Sequence, residues 1–366
     1  MKIMIIAGGT GGHLYPGIAV ARALGEHDIL FVVRKGDLCK DILKGEGFAV
    51  REIAGQGVPR SVSAKVVSFP FAFIHGWIDA WRVLRAFHPD GVLGMGGYLS
   101  FPVVILASMQ GVRTLIHEQN VVPGLANRFL SRWSRSVAVS FAESQTYFPA
   151  AKTWVSGLPV REEMGTLDAV SGRKAFDLDP SLPTLLVFGG SLGAKNLNHK
   201  ILDLWGELLK RTSSFQVLHV TGQASFKETK AAYEKLTLRS VVLPYCNNMA
   251  SAYAAADWVI CRAGASTVAE LAASRRPSTL IPYPFATNNH QQFNAQVLKD
   301  AGVADVISER ELDLTFLAAR LEKIINDPKE RSKRIESFDE LTHFSRRNSQ
   351  AAKALADFIS GRNSQI

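Results

Sequence analysis

Short apolar runs alternate with stretches of helical periodicity along most of the chain. The runs that predict strands lie at 3–7, 29–33, 91–95, 113–116, 136–140 and 153–156, and then at 184–188, 216–220, 240–243, 257–260 and 278–281. Strands that alternate with helices favour parallel α/β sheets. A break at Gly157-Leu158-Pro159-Val160 predicts a linker, with one doubly wound domain over 1–160 and a second over 161–341. A ligand cleft is expected between two such domains, where the carboxyl ends of their strands face each other.

The chain beyond about residue 311 is helical and charged, with an apolar stripe at helical spacing. The members of this stripe are Phe338, Leu341, Phe344, Ala351, Leu355 and Phe358. The helix at about 342–366 could pack back on the first domain or cap the second, and the pattern allows both.

Composition narrows the class of protein. A chain of 366 residues, 47% apolar and 20% charged, is long enough for two folded domains. Its net charge is +9, and residues 1–160 carry 16 basic and 10 acidic residues, so two thirds of the excess lies there. A basic surface attracts phosphorylated substrates, anionic lipid or nucleic acid. Nucleic acid is the weakest of these, because no zinc finger or arginine-rich tail is present.

The same sequence limits the compartment. Three cysteines without a Cys-x-x-Cys pattern indicate reduced thiols, and the first apolar run ends in a glycine turn rather than a signal cleavage site. No apolar run reaches the roughly 18–20 residues that cross a bilayer. A cytoplasmic protein, soluble or peripheral to a membrane, is expected.

Three glycine-rich turns follow predicted strands, at Gly8–His13, Gly94–Tyr98 and Gly189–Ala194. Glycines let backbone N–H groups approach an anion, and the start of a helix adds partial positive charge. The first turn lacks the Gly-x-Gly-x-x-Gly spacing of dinucleotide folds, and Arg34-Lys35 follows the second strand before any acid. A nicotinamide cofactor is therefore disfavoured. An anion-binding loop with His13 in its mouth is favoured over a plain structural turn.

Polar residues also follow two other strands. His117-Glu118-Gln119-Asn120 comes after the strand at 113–116, which indicates a site, although Asn120 could instead cap the helix after Pro123. Arg262–Glu270 forms a turn and a helix start, in which Ser266 or Thr267 could cap the helix and donate to a phosphate.

Two further groups suit a hydroxyl-rich ligand. Glu270, about one turn into its helix, could accept hydrogen bonds from sugar hydroxyls, or it could complement the helix dipole. The amides of Gln291 and Gln292 each donate and accept hydrogen bonds.

In order and spacing, these segments resemble those of glycosyltransferase family 28, and in particular its bacterial N-acetylglucosamine transferases that convert lipid I to lipid II in peptidoglycan synthesis. The resemblance covers residue 1 to about 305. It implies a GT-B fold, in which two Rossmann-like domains face each other across a cleft. It also implies inverting transfer from UDP-N-acetylglucosamine to the muramoyl 4-hydroxyl of undecaprenyl-diphospho-muramoyl pentapeptide, at the cytoplasmic face of the inner membrane.

The resemblance also implies roles for individual residues. Donor contacts are expected from Thr10, Gly11, Gly12, Asn120, Arg161, Ser191, Ala265, Ser266, Thr267, Glu270, Gln291 and Gln292. Contacts to the acceptor diphosphate are expected from Gly9, Gly12, His13, Gly96, Gly97 and Tyr98.

The displacement needs a base to take the hydroxyl proton. His13 is the first candidate because histidine titrates near neutrality, Glu118 is the second, and a phosphate-binding or structural role is the alternative for His13. Helix starts and Ser191 would meet the charge of the leaving group. No cofactor is required and no metal site is predicted, although a divalent cation could assist. Asp177-Leu178-Asp179 matches the Asp-x-Asp pattern of metal sites, but it lies before a strand rather than at a strand end, which indicates a surface loop.

An aromatic and basic segment suits a membrane surface. Phe69, Phe73, Trp77 and Trp81 recur every four residues, which places them on one helix face, with Arg82 and Arg85 beside them. The alternative is that this stripe is the core face of the helix. The expected partners are an anionic membrane surface and other cell-wall synthesis proteins, and no nucleic acid.

Two rival functions belong to other classes. One is another GT-B enzyme of UDP-sugars, such as a diacylglycerol glycosyltransferase or a UDP-N-acetylglucosamine 2-epimerase. The other is a membrane partner that binds UDP-sugar without turnover.

Overall fold

A computed structural model of the chain describes residues 1–9, 11–37, 39–55, 64–190 and 193–362, with the side chains of 64–72 left aside. The chain divides into two compact units, Met1–Arg161 with Arg347–Ile366, and Glu162–Arg346. Three of the predicted positions lie outside this description: Thr10, Ser191 and the side chain of Phe69.

The first unit is built on a parallel sheet. Its strands are β1 (Lys2–Ile6), β2 (Asp28–Arg34), β3 (Ala49–Ile53), β4 (Gly91–Gly94), β5 (Arg113–Glu118), β6 (Ser136–Val139) and β7 (Thr153–Val155). Its helices are α1 (Gly11–Leu24), α2 (Cys39–Gly45), α3 (Ala64–Phe87), α4 (Ser100–Met109) and α5 (Leu125–Leu130), with 3₁₀ turns at Ala142–Tyr147 and Ala150–Lys152. The strand order is β3-β2-β1-β4-β5-β6-β7, so the winding reverses between β1 and β4. Ligands bind doubly wound sheets at the carboxyl ends of strands at such a reversal.

The second unit repeats this plan. Its strands are β8 (Thr184–Phe188), β9 (Gln216–Val220), β10 (Ser240–Leu243), β11 (Trp258–Cys261), β12 (Ser278–Leu280) and β13 (Ala304–Val306), in the order β10-β9-β8-β11-β12-β13. Its helices are α6 (Ala169–Lys174), α7 (Lys195–Leu208), α8 (Phe226–Tyr233), α9 (Met249–Ala255), α10 (Ala265–Ala273), α11 (His290–Asp300), α12 (Leu314–Asn326) and α13 (Pro328–Glu336), with 3₁₀ turns at Gln223–Ser225, Thr287–Asn289 and Ser337–Leu341. The last helix is α14 (Thr342–Ile359). The predicted fold class of two Rossmann-like parallel sheets is confirmed.

The two strands that the apolar pattern missed, β3 and β13, both lie at a sheet edge. The sequence of β3 is Ala-Val-Arg-Glu-Ile, and only its last residue is fully buried. Central strands such as β1 and β8 are instead buried along nearly their whole length, because helices cover both faces of a parallel sheet. Edge strands lose one neighbour, so their sequences carry a weaker apolar signal.

The segment predicted as a linker belongs to the first unit. Gly157 has a φ of +79°, and a Cβ there would lie 2.7 Å from the main-chain carbon of Arg347. The N–H of Leu158 donates to Asn348 Oδ1 at 2.9 Å. The chain therefore enters the second unit only after Arg161.

The apolar stripe near the end of the chain is shared between the units. Leu355 and Phe358 join the core of the first unit, whereas Phe338 and Leu341 are buried within the second. The division falls inside α14, between residues 346 and 347.

A buried polar chain holds the first turn of α7 against β9. Trp205 Nε1 donates to the Tyr233 hydroxyl at 2.6 Å, and His219 lies between that hydroxyl, at 2.9 Å, and Asn198 Oδ1, at 3.1 Å. Asn198 Nδ2 in turn donates to the Thr221 carbonyl at 2.9 Å. Burial lowers the pKa of His219 to about 3, so the imidazole stays neutral in the folded protein.

This histidine is expected to make the second unit acid-labile. Because its native pKa lies below the unfolded value of 6.5, its contribution to stability is complete above pH 6.5 and is lost as the pH falls toward 3. Between pH 7.5 and 5.5, the loss is about 1.4 kcal/mol. Hydrogen exchange of the β9 amides at both pH values measures it. A His219→Gln variant should lack this pH-dependent component, and an equal loss in both proteins would contradict the assignment.

Candidate functional site

The first glycine turn joins β1 directly to α1. Helix α1 begins at Gly11, so His13 lies in the first helical turn rather than in a loop. The amide of Gly9, whose φ is +87°, donates to Asp37 Oδ2 at 2.6 Å. Burial alone would raise the pKa of Asp37, but hydrogen bonds from Cys39 and Gly9 hold it below its ordinary value. A carboxylate thus already occupies the Gly9 amide, and the predicted diphosphate contact there requires Asp37 to move.

The second glycine turn, after β4, packs against the first. Gly96 has a φ of +101°, and a Cβ there would lie 3.1 Å from His13 Cε1 and 3.3 Å from Gln119 Oε1. Only glycine fits this close approach. Gly97 also has a positive φ, and Tyr98 is exposed. The turns after β1, β4 and β5 therefore meet at one edge of the first sheet.

His117 and Gln119, which alternate with Glu118 at the end of β5, are buried and hydrogen-bonded. Gln119 Nε2 lies 2.6 Å from the Met95 carbonyl and 3.3 Å from His117 Nδ1. His117 Nε2 lies 3.0 Å from the Gly157 carbonyl. Burial lowers the pKa of His117 to about 4 and also lowers that of His13.

Glu118 is 2% exposed and accepts four hydrogen bonds. Its Oε1 accepts from the N–H and the side-chain amide of Asn120, at 2.9 and 3.2 Å. Its Oε2 accepts from the Gly124 N–H at 3.2 Å and from Asn127 Nδ2 at 2.9 Å. Burial raises the pKa of Glu118. The N-cap of α5 is Gly124, so Asn120 does not cap that helix as one alternative held.

Asn127 is a residue that the sequence did not single out. It is 2% exposed and donates both to Glu118 and to the His117 carbonyl. Its position in α5 gave no local signal, because both contacts come from nine and ten residues earlier.

Arg161, at the end of the first unit, contacts helix α1 through its side chain. Its guanidinium carbon is 4.7 Å from the centre of the Tyr15 ring, a cation–π contact. This contact places Arg161 within one turn of Gly11 and Gly12 along α1, the helix that carries His13.

In the second unit, a glycine turn again links a strand to a helix. Gly193 has a φ of +76°, and a Cβ there would lie 2.5 Å from the Thr221 carbonyl, so no other residue fits. Gly190, on the other side of the positions outside the description, also has a positive φ. Helix α7 begins two residues after Gly193.

The turn between β11 and α10 ends at Gly264, the N-cap of the helix. Ala265, Ser266 and Thr267 form the first turn. The expectation that Ser266 or Thr267 is the N-cap is therefore wrong. Gly264 has no side chain, so the N-cap residue makes no hydrogen bond to the first-turn N–H groups. Such a helix start suits an anion.

Glu270 lies beyond the first turn of α10, which contains no acidic residue. The alternative role of Glu270, complementing the helix dipole from the first turn, is therefore not supported. Its Oε2 accepts from the hydroxyl of the buried Tyr253 at 3.0 Å. Tyr253 also contacts the ring of Phe188 at the end of β8, so Glu270 is fixed at the carboxyl edge of the second sheet.

A buried ion pair organises the segment after β12. Arg262 Nη2 lies 2.6 Å from Glu309 Oε2, and Arg262 Nη1 donates to the carbonyls of Ile281 and Pro282 at 3.1 and 3.3 Å. The next N–H, that of Tyr283, donates to Gln291 Oε1 at 2.8 Å.

That bond leaves the Gln291 amide nitrogen as the donor end of the side chain. Gln292, the next residue of α11, is exposed. No role could be predicted for Arg262 from the sequence, because its partner Glu309 is 47 residues away along the chain.

Comparison with known proteins decides the family. The model of the glycosyltransferase family 28 N-terminal domain matches residues 3–139, and that of the C-terminal domain matches residues 184–354. A protein of Thermodesulfovibrio yellowstonii, described as UDP-N-acetylglucosamine--N-acetylmuramyl-(pentapeptide) pyrophosphoryl-undecaprenol N-acetylglucosamine transferase, is 40% identical over 333 residues, 90% of this chain and 91% of that one. The chain belongs to glycosyltransferase family 28.

Solved structures support the same placement. A crystal structure of Acinetobacter baumannii MurG superposes with a TM-score of 0.72 at 29% identity, covering 98% of this family 28 chain and 99% of that one. A UDP-GlcNAc 2-epimerase from Neisseria meningitidis, bound to UDP-GlcNAc, has a TM-score of 0.69 at 13% identity and covers 99% and 100%. The epimerase therefore shares the fold, and an identity of 13% does not indicate a shared activity.

The predicted membrane stripe of this family 28 chain divides along α3. Phe73 and Trp81 are each 44% exposed, and the Arg85 guanidinium lies 5.2 Å from the Trp81 ring centre. Trp77 instead packs against Phe101 of α4, with ring centres 6.3 Å apart. The core face of α3 contains Ala80 and Leu84, and Trp77 packs against the same core, so the core alternative holds for Trp77. The core alternative is thus wrong for Phe73 and Trp81.

Other exposed apolar residues lie in the same unit. Ile74 and Ile78 on α3 are 57% and 39% exposed. Phe129, which contacts Phe101, and Trp133 are each 42% exposed, and the exposed Arg128 and Arg132 flank them. Among the described helices, none combines the length and apolarity of a membrane crossing.

Proposed function

We propose that this chain transfers N-acetylglucosamine from UDP-N-acetylglucosamine to the muramoyl 4-hydroxyl of undecaprenyl-diphospho-muramoyl pentapeptide, the step from lipid I to lipid II. One observation carries the proposal. The identity of 40% with a transferase of that description extends over 90% of the chain, and so includes both units.

The donor is assigned mainly to the second unit. Gly264 gives the first turn of α10 no side-chain cap, and the N-terminus of a helix suits the diphosphate of UDP-N-acetylglucosamine. Glu270, held by Tyr253, accepts hydrogen bonds from ribose hydroxyls, and Gln291 donates to hydroxyls of the sugar. Ser191 and Gln292 complete the donor contacts in this unit, and Asn120 and Arg161 add contacts from the first.

The base is assigned to His13. Glu118 is the weaker candidate because all four of its hydrogen bonds hold the turn that carries Asn120. In the reaction, the 4-hydroxyl proton passes to His13, and the oxygen forms its bond to the anomeric carbon. The bond from that carbon to the phosphate oxygen breaks, and UDP leaves with the electron pair. Helix starts stabilise its charge without a required metal.

Labelled UDP-N-acetylglucosamine incubated with lipid I tests the proposal, with and without EDTA. Labelled lipid II and released UDP in both arms is the expected result. Transfer to diacylglycerol, conversion of the donor to its 2-epimer, or donor binding without any product would each replace the proposal with one of the rival functions. Loss of activity with EDTA would show that a divalent cation assists.

The location follows from the same proposal. The chain binds the cytoplasmic face of the inner membrane through a surface formed by Phe73, Trp81, Arg82 and Arg85. Apolar side chains that enter the interface, beside basic residues that attract anionic lipid, are the composition that peripheral binding requires. Contacts with other cell-wall synthesis proteins would be made from this location.

Reversing two charges on α3 tests this surface. The double variant Arg82→Glu/Arg85→Glu should bind anionic vesicles at least tenfold more weakly, because each basic residue near the surface contributes about 1 kcal/mol. Cosedimentation with vesicles containing phosphatidylglycerol measures the binding. Lys227→Glu/Lys235→Glu, which changes two exposed lysines of the second unit, is the matched control. Equal binding by both double variants would exclude α3.

A further inference from the structure

We propose that Gln119 is a positioning residue, which fixes the proton of His13 on Nδ1 and leaves Nε2 as the atom that takes the substrate proton. The catalytic consequence rests on the proposed function. The location of the proton on the ring does not, and it can be measured without substrate.

The first observation is a pair of complementary atoms. Within the described residues, His13 Nδ1 and Gln119 Oε1 are buried, and neither reaches full hydrogen-bond geometry with any partner. Both lie beside Gly96, at 3.4 and 3.3 Å from the position of an added Cβ. A ring nitrogen can donate and an amide oxygen can only accept, so the pair is satisfied when Nδ1 carries the proton.

The orientation of the Gln119 amide is set from its other side. The Met95 carbonyl, 2.6 Å from the amide nitrogen, can only accept a hydrogen bond. The NH₂ group must therefore point toward Met95, and a flipped amide would place two oxygens against each other. Oε1 is left on the side of His13.

His117 reinforces this orientation. Its Nε2 lies 3.0 Å from the Gly157 carbonyl, which accepts only, so Nε2 carries the proton. Its Nδ1 then carries no proton, and it accepts a hydrogen bond from the second N–H of the Gln119 amide at 3.3 Å. Burial keeps this imidazole neutral at working pH. The proton positions are thus determined in series from the Gly157 carbonyl to His13.

The consequence for His13 follows from its surroundings. The Gln119 side chain and the Met95 carbonyl both raise the pKa of His13 against the larger lowering effect of burial, and the buried His117 is the titratable group beside it. Gln119 Oε1 is the acceptor that lies with Nδ1 beside Gly96, so it is the group that retains the proton on Nδ1. After Nε2 takes the substrate proton, the same contact stabilises the imidazolium.

Nitrogen-15 NMR of histidine-labelled protein tests the proton position directly. The His13 signals, assigned by their loss in His13→Ala, should show a protonated Nδ1 and an unprotonated Nε2 in the wild-type protein. In Gln119→Leu, which removes the acceptor, the two forms should mix. A wild-type protein with the proton on Nε2 would overturn the inference.

The pH profile of kcat/KM separates positioning from a structural role. Gln119→Leu should lower kcat by about 10- to 100-fold, and its acid limb should move to lower pH because a group that raises the His13 pKa is gone. Gln119→Glu should move the limb to higher pH, since a carboxylate favours the imidazolium.

The exposed Gln110→Leu, in the same unit, is the control and should change neither quantity. If the Gln119 variants lose kcat while the acid limb of their pH profiles stays in place, Gln119 has a structural role only. A wild-type protein that makes no lipid II would refute the proposed function, while its NMR spectrum would still decide the position of the proton.

Discussion

Replacing His13 with alanine is expected to lower kcat by about 10²- to 10⁴-fold while leaving the affinity for UDP-N-acetylglucosamine within about threefold. The reason is that His13 supplies proton transfer, and the donor is held mainly by groups of the second unit. UDP release in the presence of lipid I measures kcat, and calorimetric titration with UDP-N-acetylglucosamine measures affinity.

The alternative base provides the comparison. Glu118→Ala leaves four donors, from Asn120, Gly124 and Asn127, without their acceptor, so loss of fold is its expected effect. A His13→Ala protein that keeps wild-type kcat would remove His13 from the mechanism. A folded Glu118→Ala protein without turnover would then move the role to Glu118.

The central strands could be predicted because their sequences are continuous apolar runs, as in Ile3-Met4-Ile5-Ile6. The edge strands β3 and β13 could not, since half-exposed residues interrupt their pattern. The packing around the predicted linker at Gly157 could not be predicted for a related reason. Glycine and proline indicate a turn, but they do not tell whether the rest of the chain packs over it.

The candidate site shows the same limit. Polar residues in the segments that follow strands, such as His13 after β1 and Glu270 after β11, were recognisable because the carboxyl ends of parallel strands share one edge. Their partners were not. Asp37 on the Gly9 amide, Tyr253 on Glu270 and Glu309 on Arg262 are contacts between segments distant in sequence, and no local periodicity specifies them.

The Arg262–Glu309 ion pair is expected to be the most costly single contact to break in the second unit. Both side chains are less than 9% exposed, so removing one charge leaves the other buried without compensation. Arg262→Met should lower the free energy of unfolding by about 3–5 kcal/mol. Urea denaturation followed by circular dichroism measures the change. A loss below about 1 kcal/mol would mean that Glu309 finds another partner or solvent.

The double variant Arg262→Met/Glu309→Met separates stability from function. Replacing both charges with apolar side chains should recover most of the lost stability, because no unpaired charge remains. It should not restore donor binding. The carbonyls of Ile281 and Pro282 still lack the Arg262 donor, so the Tyr283 N–H that orients Gln291 is no longer held in place. A stable double variant that binds UDP-N-acetylglucosamine about tenfold more weakly is expected from calorimetry, since one lost hydrogen-bonding group costs about 1–1.5 kcal/mol. Wild-type affinity in that variant would show that the ion pair stabilises the unit without shaping the donor site.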